Sequence, residues 1–599
     1  FQLQTFINRC LRNILNIRYP LVITNQDLWE GTRQCIQQDG SDLTSLSRQP
    51  TKELMSAVFV RAAISKQTSL TVKGVRVLLA ACRTQAEGSS YFSRPYITSM
   101  ASEDPNPGRR TTHVYGAPRE SERPLARDAV LMRAANPERA AALEKEEKEK
   151  LKREDNQRAS DAQKKKLDVL TVQNIDFNIK ENAKKHHTSQ YHCVKGKDGQ
   201  PVLRRGEVFH ITLTFNRRYL RKKDDLHFIF EAGTESPAKN LQVTFTLDED
   251  RWVRYNPETD EDWMARMVGR EHDDQKLRVA VYIPGDAVVG EWELKVKTTL
   301  VGSKEDFVMI YPKPIAILFN PWSKADSVHF TEDKELLKEY ILNESGTVFV
   351  GTASNMSSFT WSYGQFEEGI LQISFSLLRM AFGFKMTPAM ADPVKVSRAL
   401  TRAVNSPDDS GVLVGNWSDN YDDGKAPWIW KTSTAILRQF ADTGQPVKFG
   451  QCWVFSHVLT AVCRALGLPC RSVTNFNSAH DTDNTCTIDK YFTVTDDELR
   501  SMSRDSIWNF HVWNEVWLLR PDLPKGYDGW HCIDATPQEQ SLGMFQCGPC
   551  PLAAVKKGEI HIGYDTGFVF SEVNAEVVHW VVDPEEAEYT KYSSIDHKR

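Results

Sequence analysis

The spacing of apolar residues changes several times along the chain, and each change marks a block. In residues 1–95, Phe6, Cys10, Leu11, Ile14 and Leu15 recur at helical spacing, and residues 24–34 offer an N-cap followed by a second helix. Residues 96–166 lose that order. Residues 102–112 have the composition of disordered chain, and residues 144–166 interleave glutamate and lysine as a solvated helix or charged tether does. From about 167 to 301 apolar and polar residues alternate: residues 208–215, 240–247, 278–283 and 291–298 read as strands of a β-sandwich. Beyond 302 helical spacing returns, over 361–378 and 392–405, and with particular clarity over 449–469. There Val454, Val458, Leu459, Val462 and Leu466 line up, Gly467 serves as the residue after the helix, and Pro469 stops any continuation.

With 599 residues the chain is too long for one ordinary core, so three or four folded units are expected. A net charge of −4 supplies no global basic field, which argues against nucleic acid as a partner. The eleven cysteines lack zinc-type spacing, since Cys547 and Cys550 form a single C-x-x-C with no second pair; a sparse, odd set implies reduced thiols and a cytoplasmic location. No apolar run reaches eighteen residues, so no transmembrane segment is expected, although attachment to a membrane or release stays open. The first ten residues, FQLQTFINRC, contain neither an initiator methionine nor a signal-type apolar core. The true N-terminus is therefore expected upstream, or the gene product is incomplete.

The clearest helix carries the candidate chemistry. Cys452 opens it, where unpaired backbone N–H groups and the positive end of the helix dipole favour a thiolate. A single cysteine is more often a small buried hydrophobe, so a catalytic role for Cys452 depends on partners later in the chain. His511, in WNFHVWNE, and Asp534, in DATPQE, supply a base and an orienting carboxylate, which are the parts that acyl transfer through a thiol requires.

GQCW, TNFNSAHDTD, WNFHVWNE, DATPQE and FQCGPCP, in that order, resemble the catalytic core of the animal transglutaminases, most closely the epidermal and keratinocyte types. The likeness covers about residues 167–599. It implies an α+β fold in which an immunoglobulin-like β-sandwich (167–301, with RRGEVF at 204–209) precedes a papain-like, cysteine-protease-type core (302–599). The family's two C-terminal β-barrels are expected to be absent. Cys452, His511 and Asp534 would form the catalytic triad, Trp417 would be the oxyanion donor and Trp508 the second wall of a substrate tunnel. Gln451 and the Cys452 amide are the alternative oxyanion donors. Most of the fifteen tryptophans must be ordinary core residues, so only these two are singled out.

The same resemblance implies Ca2+ as regulator. Asp481, Asp483, Thr485, Thr487 and Asp489 place oxygens at every second residue, with Asp505 as a later carboxylate and Asn484 as a substitute donor. A second site is expected at Asn405 and Asp409, with Pro407 between them and backbone carbonyls such as that of Arg402 assisting. A third, at Asn574, is expected to be weak or absent. The implied activity is transfer of a protein glutamine's acyl group to lysine or a polyamine, forming an isopeptide crosslink through a cysteine thioester. Alternatives are a thiol amidase or deamidase on the same triad, a non-catalytic homologue, and a truncated inactive fragment. Separately, residues 1–50 resemble the tail of reverse-transcriptase reading frames from non-LTR retroelements. No catalytic carboxylate motif accompanies them, so no polymerase activity is expected.

Overall fold

The computed structural model describes residues 112–116 and 169–597, apart from 197, 233–240, 257–261, 271–274, 303–304, 583–589 and 592–595. The helices expected in residues 1–95, and the charged run at 144–166, lie outside the described residues.

Two sheets pack face to face in the first half. One is antiparallel, in the order Val172–Asp176, Glu207–Phe215, Lys276–Ile283, Met264–Arg270. The other is built around Gly290–Leu300, which pairs antiparallel with Asp224–Ala232, Asp306–Ile310 and Ile315–Leu318. Alternation decides which residues enter the core: Leu226, Phe228 and Phe230 are buried while the intervening residues are not. The four expected strands are present, and the aromatic-rich Asp224–Ala232 joins them. The second sheet continues to Leu318, past the boundary expected at 301, because Asp306–Ile310 and Ile315–Leu318 belong to it. Thr112–Gly116, within the segment expected as a linker, pairs parallel with Asp306–Ile310.

The helix expected over 361–378 is only partly a helix. Asn355–Ser362 is the second strand of a hairpin with Ser345–Thr352, and the helix itself is Ile370–Ala381. Gly364 and Gly369 cause the difference. Both lie in the left-handed region, at φ +58° and +79°, and break the path between the two elements. The second expected helix is present at Pro393–Val404, where the Asp392 side chain caps the Val394 and Lys395 amides.

At the centre lies the cysteine helix, Cys452–Leu466, with every residue buried and Gly467 after it at φ +94°. Beside it runs an antiparallel sheet in the order Cys470–His480, Ser506–Leu518, Gly529–Asp534, Cys547–Pro551. A helix buried on all sides cannot leave its polar groups unpaired, and a polar seam joins it to the sheet. Ser456 Oγ donates to Trp513 O (3.0 Å), while Asn514 Nδ2 donates to Ser456 O (2.9 Å) and Thr460 Oγ1 (2.8 Å). These bonds set the register between the helix that carries Cys452 and the strand that carries His511. Sandwich and core are tied by a second buried device, the bidentate pair of Arg205 and Asp326 with both contacts at 2.7 Å.

Asn514→Ala strips donors from two buried acceptors and is expected to lower unfolding free energy by about 2 kcal/mol or more. Chemical denaturation monitored by tryptophan fluorescence checks this. A loss of only a few tenths would mean the seam is dispensable.

Candidate active site

Each candidate side chain is delivered by a different element. Cys452 is the first helical residue after Gln451, which stands in extended conformation as the N-cap; His511 lies in the strand Ser506–Leu518, and Asp534 ends the neighbouring strand. All three are at most 2 % exposed. His511 Nε2–H donates to Asp534 Oδ2 at 2.7 Å, which leaves Nδ1 as the nitrogen for other work. Nδ1 is buried without a hydrogen-bond partner of ordinary geometry. Burial opposes a charged imidazole here. The Asp534 carboxylate with its hydrogen bond, then the Cys452 thiol, then the Glu572 carboxylate outweigh burial and hold His511 well above the ordinary histidine pKa.

Two residues that the sequence reading did not single out complete this cluster. Glu572 Oε1 lies 3.7 Å from His511 Nε2, and the Gln538 amide nitrogen sits among Glu572 Oε1 (2.9 Å), Asp534 Oδ2 (3.0 Å) and His511 Nε2 (3.0 Å). An amide nitrogen has two hydrogens for these three neighbours. Both go to the carboxylates, and the contact with His511 is packing. Burial foremost, with Asp534 adding repulsion, pushes Glu572 up to about 7. A signal for Glu572 was legible: in the helix Thr566–Asn574 it follows Phe568 by four and Val569 by three, which puts it on the buried face.

Trp417 and Trp508 stand over the site. Their rings meet edge to face at 5.8 Å, Trp417 stacks on Phe455 of the cysteine helix, and the Trp508 ring is 5.5 Å from that of His511. Gln451 is less suited to an oxyanion, because its amide already donates to Asn416 O (3.0 Å) and to the Tyr421 hydroxyl (3.1 Å).

The candidate metal ligands divide into three groups. Asp481, Asp483 and Asp505 bring carboxylate oxygens within 4.8 Å of one another. Asp481 is cradled by the amides of Asp483, Thr485 and Cys486, and the Thr485 and Thr487 hydroxyls meet at 2.9 Å. Burial and then the neighbouring carboxylates raise the Asp483 pKa, and an all-oxygen set under mutual repulsion fits a hard cation. At the second group, Asn405 Oδ1 and Asp409 Oδ1 are both buried without partners, as ligand atoms awaiting a cation would be. The Arg402 guanidinium approaches Asp409 at 3.2 Å. Asn574 is exposed at the end of its helix.

All eight cysteines of the described residues are unpaired thiols, and burial pushes Cys550 up to about 12. No helix among these residues is long and apolar enough to cross a membrane.

A thiol at a helix start, an imidazole and a carboxylate on adjacent strands, and a β-sandwich ahead of them give the layout of a papain-like α+β core. Comparison with known proteins narrows the class. Residues 173–299 match the N-terminal model described as "Transglutaminase family", and residues 396–535 match the core model described as "Transglutaminase-like superfamily". Over these two segments the chain matches the transglutaminase family. It is 41 % identical over 445 residues to the hemocyte protein-glutamine gamma-glutamyltransferase of Tachypleus tridentatus, covering 72 % of this chain and 56 % of that one. It is 43 % identical over 413 residues to protein-glutamine gamma-glutamyltransferase 4 of Homo sapiens (69 % and 57 % covered), and 38 % identical over 418 residues to the human K type (69 % and 49 %). The crystal structure of red sea bream transglutaminase superposes with a TM-score of 0.59 at 35 % identity, covering 71 % of this chain and 62 % of that one. The chain thus spans about half the length of the curated relatives it matches.

The Glu572 proton yields a prediction. Its folded pKa, about 7, lies above the unfolded value of 4.5, so folding takes up a proton between those values. The stabilisation is complete below the lower value and lost as pH rises through the upper one. Glu572→Gln is expected to flatten the fall in unfolding free energy between about pH 5 and pH 7 by on the order of 3 kcal/mol, measured by denaturant titration at each pH. Parallel curves for the two proteins would place the proton elsewhere.

Proposed function

We propose that this chain catalyses calcium-dependent acyl transfer from protein glutamine to a primary amine. The observation that carries the reading is the joining of Cys452, His511 and Asp534 beneath the Trp417–Trp508 pair, inside a core that matches the transglutaminase-like superfamily. The Cys452 sulfur attacks the side-chain carboxamide carbon. As the tetrahedral adduct collapses, the C–N bond breaks and His511 delivers its proton to the departing ammonia. A lysine or polyamine nitrogen then attacks the thioester, His511 accepts the proton it sheds, and the sulfur leaves. Asp534 keeps Nε2 protonated, so Nδ1 is the nitrogen that exchanges protons.

The Trp417 indole N–H is the proposed donor to the oxyanion, an atom that carries full charge only in the adduct. With Trp508 it also shields the thioester from water, which favours transfer over deamidation. Calcium would be held by Asp481, Asp483, Asp505 and the hydroxyls of Thr485 and Thr487, and at a second position by Asn405 and Asp409. Bound there, it would neutralise the crowded carboxylates and order the loop that comes after His480. Unpaired, buried thiols suit a reducing compartment, which favours the cytoplasm as the place of action.

Cys452→Ala is expected to reduce incorporation of a fluorescent amine into a glutamine-bearing protein by at least about 10³-fold, and to remove deamidation equally. Retained deamidation would exclude a shared thioester. Trp417→Phe keeps the ring and loses the donor, so kcat should fall by about 10²-fold with donor KM nearly unchanged; steady-state kinetics decide, and an unaltered kcat would reduce Trp417 to a wall. For the metal, the Trp580 indole donates to Asp489 at 2.9 Å beside the acidic loop, so bound terbium should show sensitised luminescence that calcium displaces. Asp481→Ala combined with Asp483→Ala should abolish that signal and raise the calcium needed for activity. Full activity in excess chelator would sink the assignment.

A further inference from the structure

The segment before the cysteine helix exposes large apolar side chains where nothing in the fold requires them. Trp428 is 54 % exposed and Ile429 57 %, in the short turn Pro427–Ile429, while the next residue, Trp430, is buried and donates its indole N–H to Phe449 O at 2.9 Å. The turn is pinned from its other side as well, because the Lys425 amide and carbonyl pair with Lys448 O (2.9 Å) and the Phe449 amide (3.0 Å). Trp428 and Ile429 are therefore held outward on a fixed base, and little ordering cost attaches to their burial by a partner.

This patch is continuous with the active site. Trp428 meets the Tyr421 ring edge on at 5.1 Å, the Tyr421 hydroxyl is 3.1 Å from Gln451 Nε2, and Gln451 is the residue before Cys452. The same amide reaches Asn416 O at 3.0 Å, next to Trp417, which is itself 41 % exposed. Trp417, Tyr421 and Trp428 thus surround the approach to Cys452, and the exposed carboxylates of Asp419 and Asp422 lie between them in sequence.

We propose that Trp428 and Ile429 form a docking platform for the acyl-donor protein, binding an apolar or aromatic side chain that flanks its reactive glutamine. The inference rests on the transfer reading above and adds the recognition chemistry of the donor. A glutamine presents a neutral carboxamide on a short stem and binds weakly by itself, so discrimination among glutamines has to come from their neighbours. A rigid indole beside an aliphatic residue is the composition of an interaction hot spot. It fits an apolar neighbour.

The test uses a set of glutamine peptides, with Phe replacing Ser at each flanking position in turn. Two readouts serve: kcat/KM with the full chain at saturating amine, and calorimetric binding to the Cys452→Ala chain. At one position or more, Phe should raise kcat/KM and affinity by about 10-fold, the gain from burying one aromatic side chain. In a Trp428→Ser/Ile429→Ser double variant that ratio should fall to about one, and Ile429→Ser alone, a gentler change, should lower it partway. No preference at any position, or one that survives the double substitution, overturns the proposal. So does a dimer of this chain that the double substitution dissolves, since the patch would then serve a second copy. If no peptide is turned over yet the binding preference is present and is lost in the double variant, the transfer reading fails while the platform stands.

Discussion

Everything chemical in this protein depends on the seam between a fully buried helix and the strand beside it. For a helix with no solvent face, apolar packing alone leaves rotation and translation loosely specified. Ser456, Thr460 and Asn514 remove that freedom. Their hydrogen bonds, all between 2.8 and 3.0 Å, are satisfied in one register only, and in that register Cys452 faces His511. The polar residues inside the core thus act as alignment, with Gln451 held by Asn416 and Tyr421 at the entrance to the helix.

The charge distribution is a consequence of that alignment. Asp534 and Glu572 both reach the imidazole, and two ionised carboxylates so close in a buried place would repel strongly. Burial, with Asp534 adding repulsion, pushes Glu572 up to about 7, and the Gln538 amide donates to both carboxylates. Glu572 belongs to the helix whose Ser571 hydroxyl reaches Asp481 of the acidic loop at 3.2 Å. The loop proposed to hold calcium and the His511 cluster are therefore joined through one helix.

The entrance is organised by a different principle. Trp430 is buried and Trp428 is not, although they are two residues apart in one apolar run. The short turn that separates them decides this, since it directs one side chain to the base of the cysteine helix and the other to solvent. Aromatic area near the Cys452 thiol is therefore divided between walls, anchors and an exposed face.

The sequence by itself determined the elements whose pattern is local and the motifs whose chemistry is local. The cysteine helix with its terminal Gly467, the helix capped by Asp392 and the alternating strands of the sandwich were all legible, because apolar spacing and capping residues are local features of the chain. Cys452, His511 and Asp534 were singled out because acyl transfer through a thiol restricts which residue types can serve, whereas Trp417 and Trp508 came from the resemblance to the transglutaminases. Tertiary structure alone decided the rest. Residues 361–369 look helical in composition, but two glycines at positive φ and the hairpin partner Ser345–Thr352 make them strand and turn. Gln538 and Glu572 are 27 and 61 positions from His511 in the sequence, and only the fold brings Gln538 to within hydrogen-bonding reach of Asp534 and Glu572 to 3.7 Å from the imidazole. Contact between residues distant in the chain leaves no period to read; it is set by how the buried helix and sheet come to rest against each other.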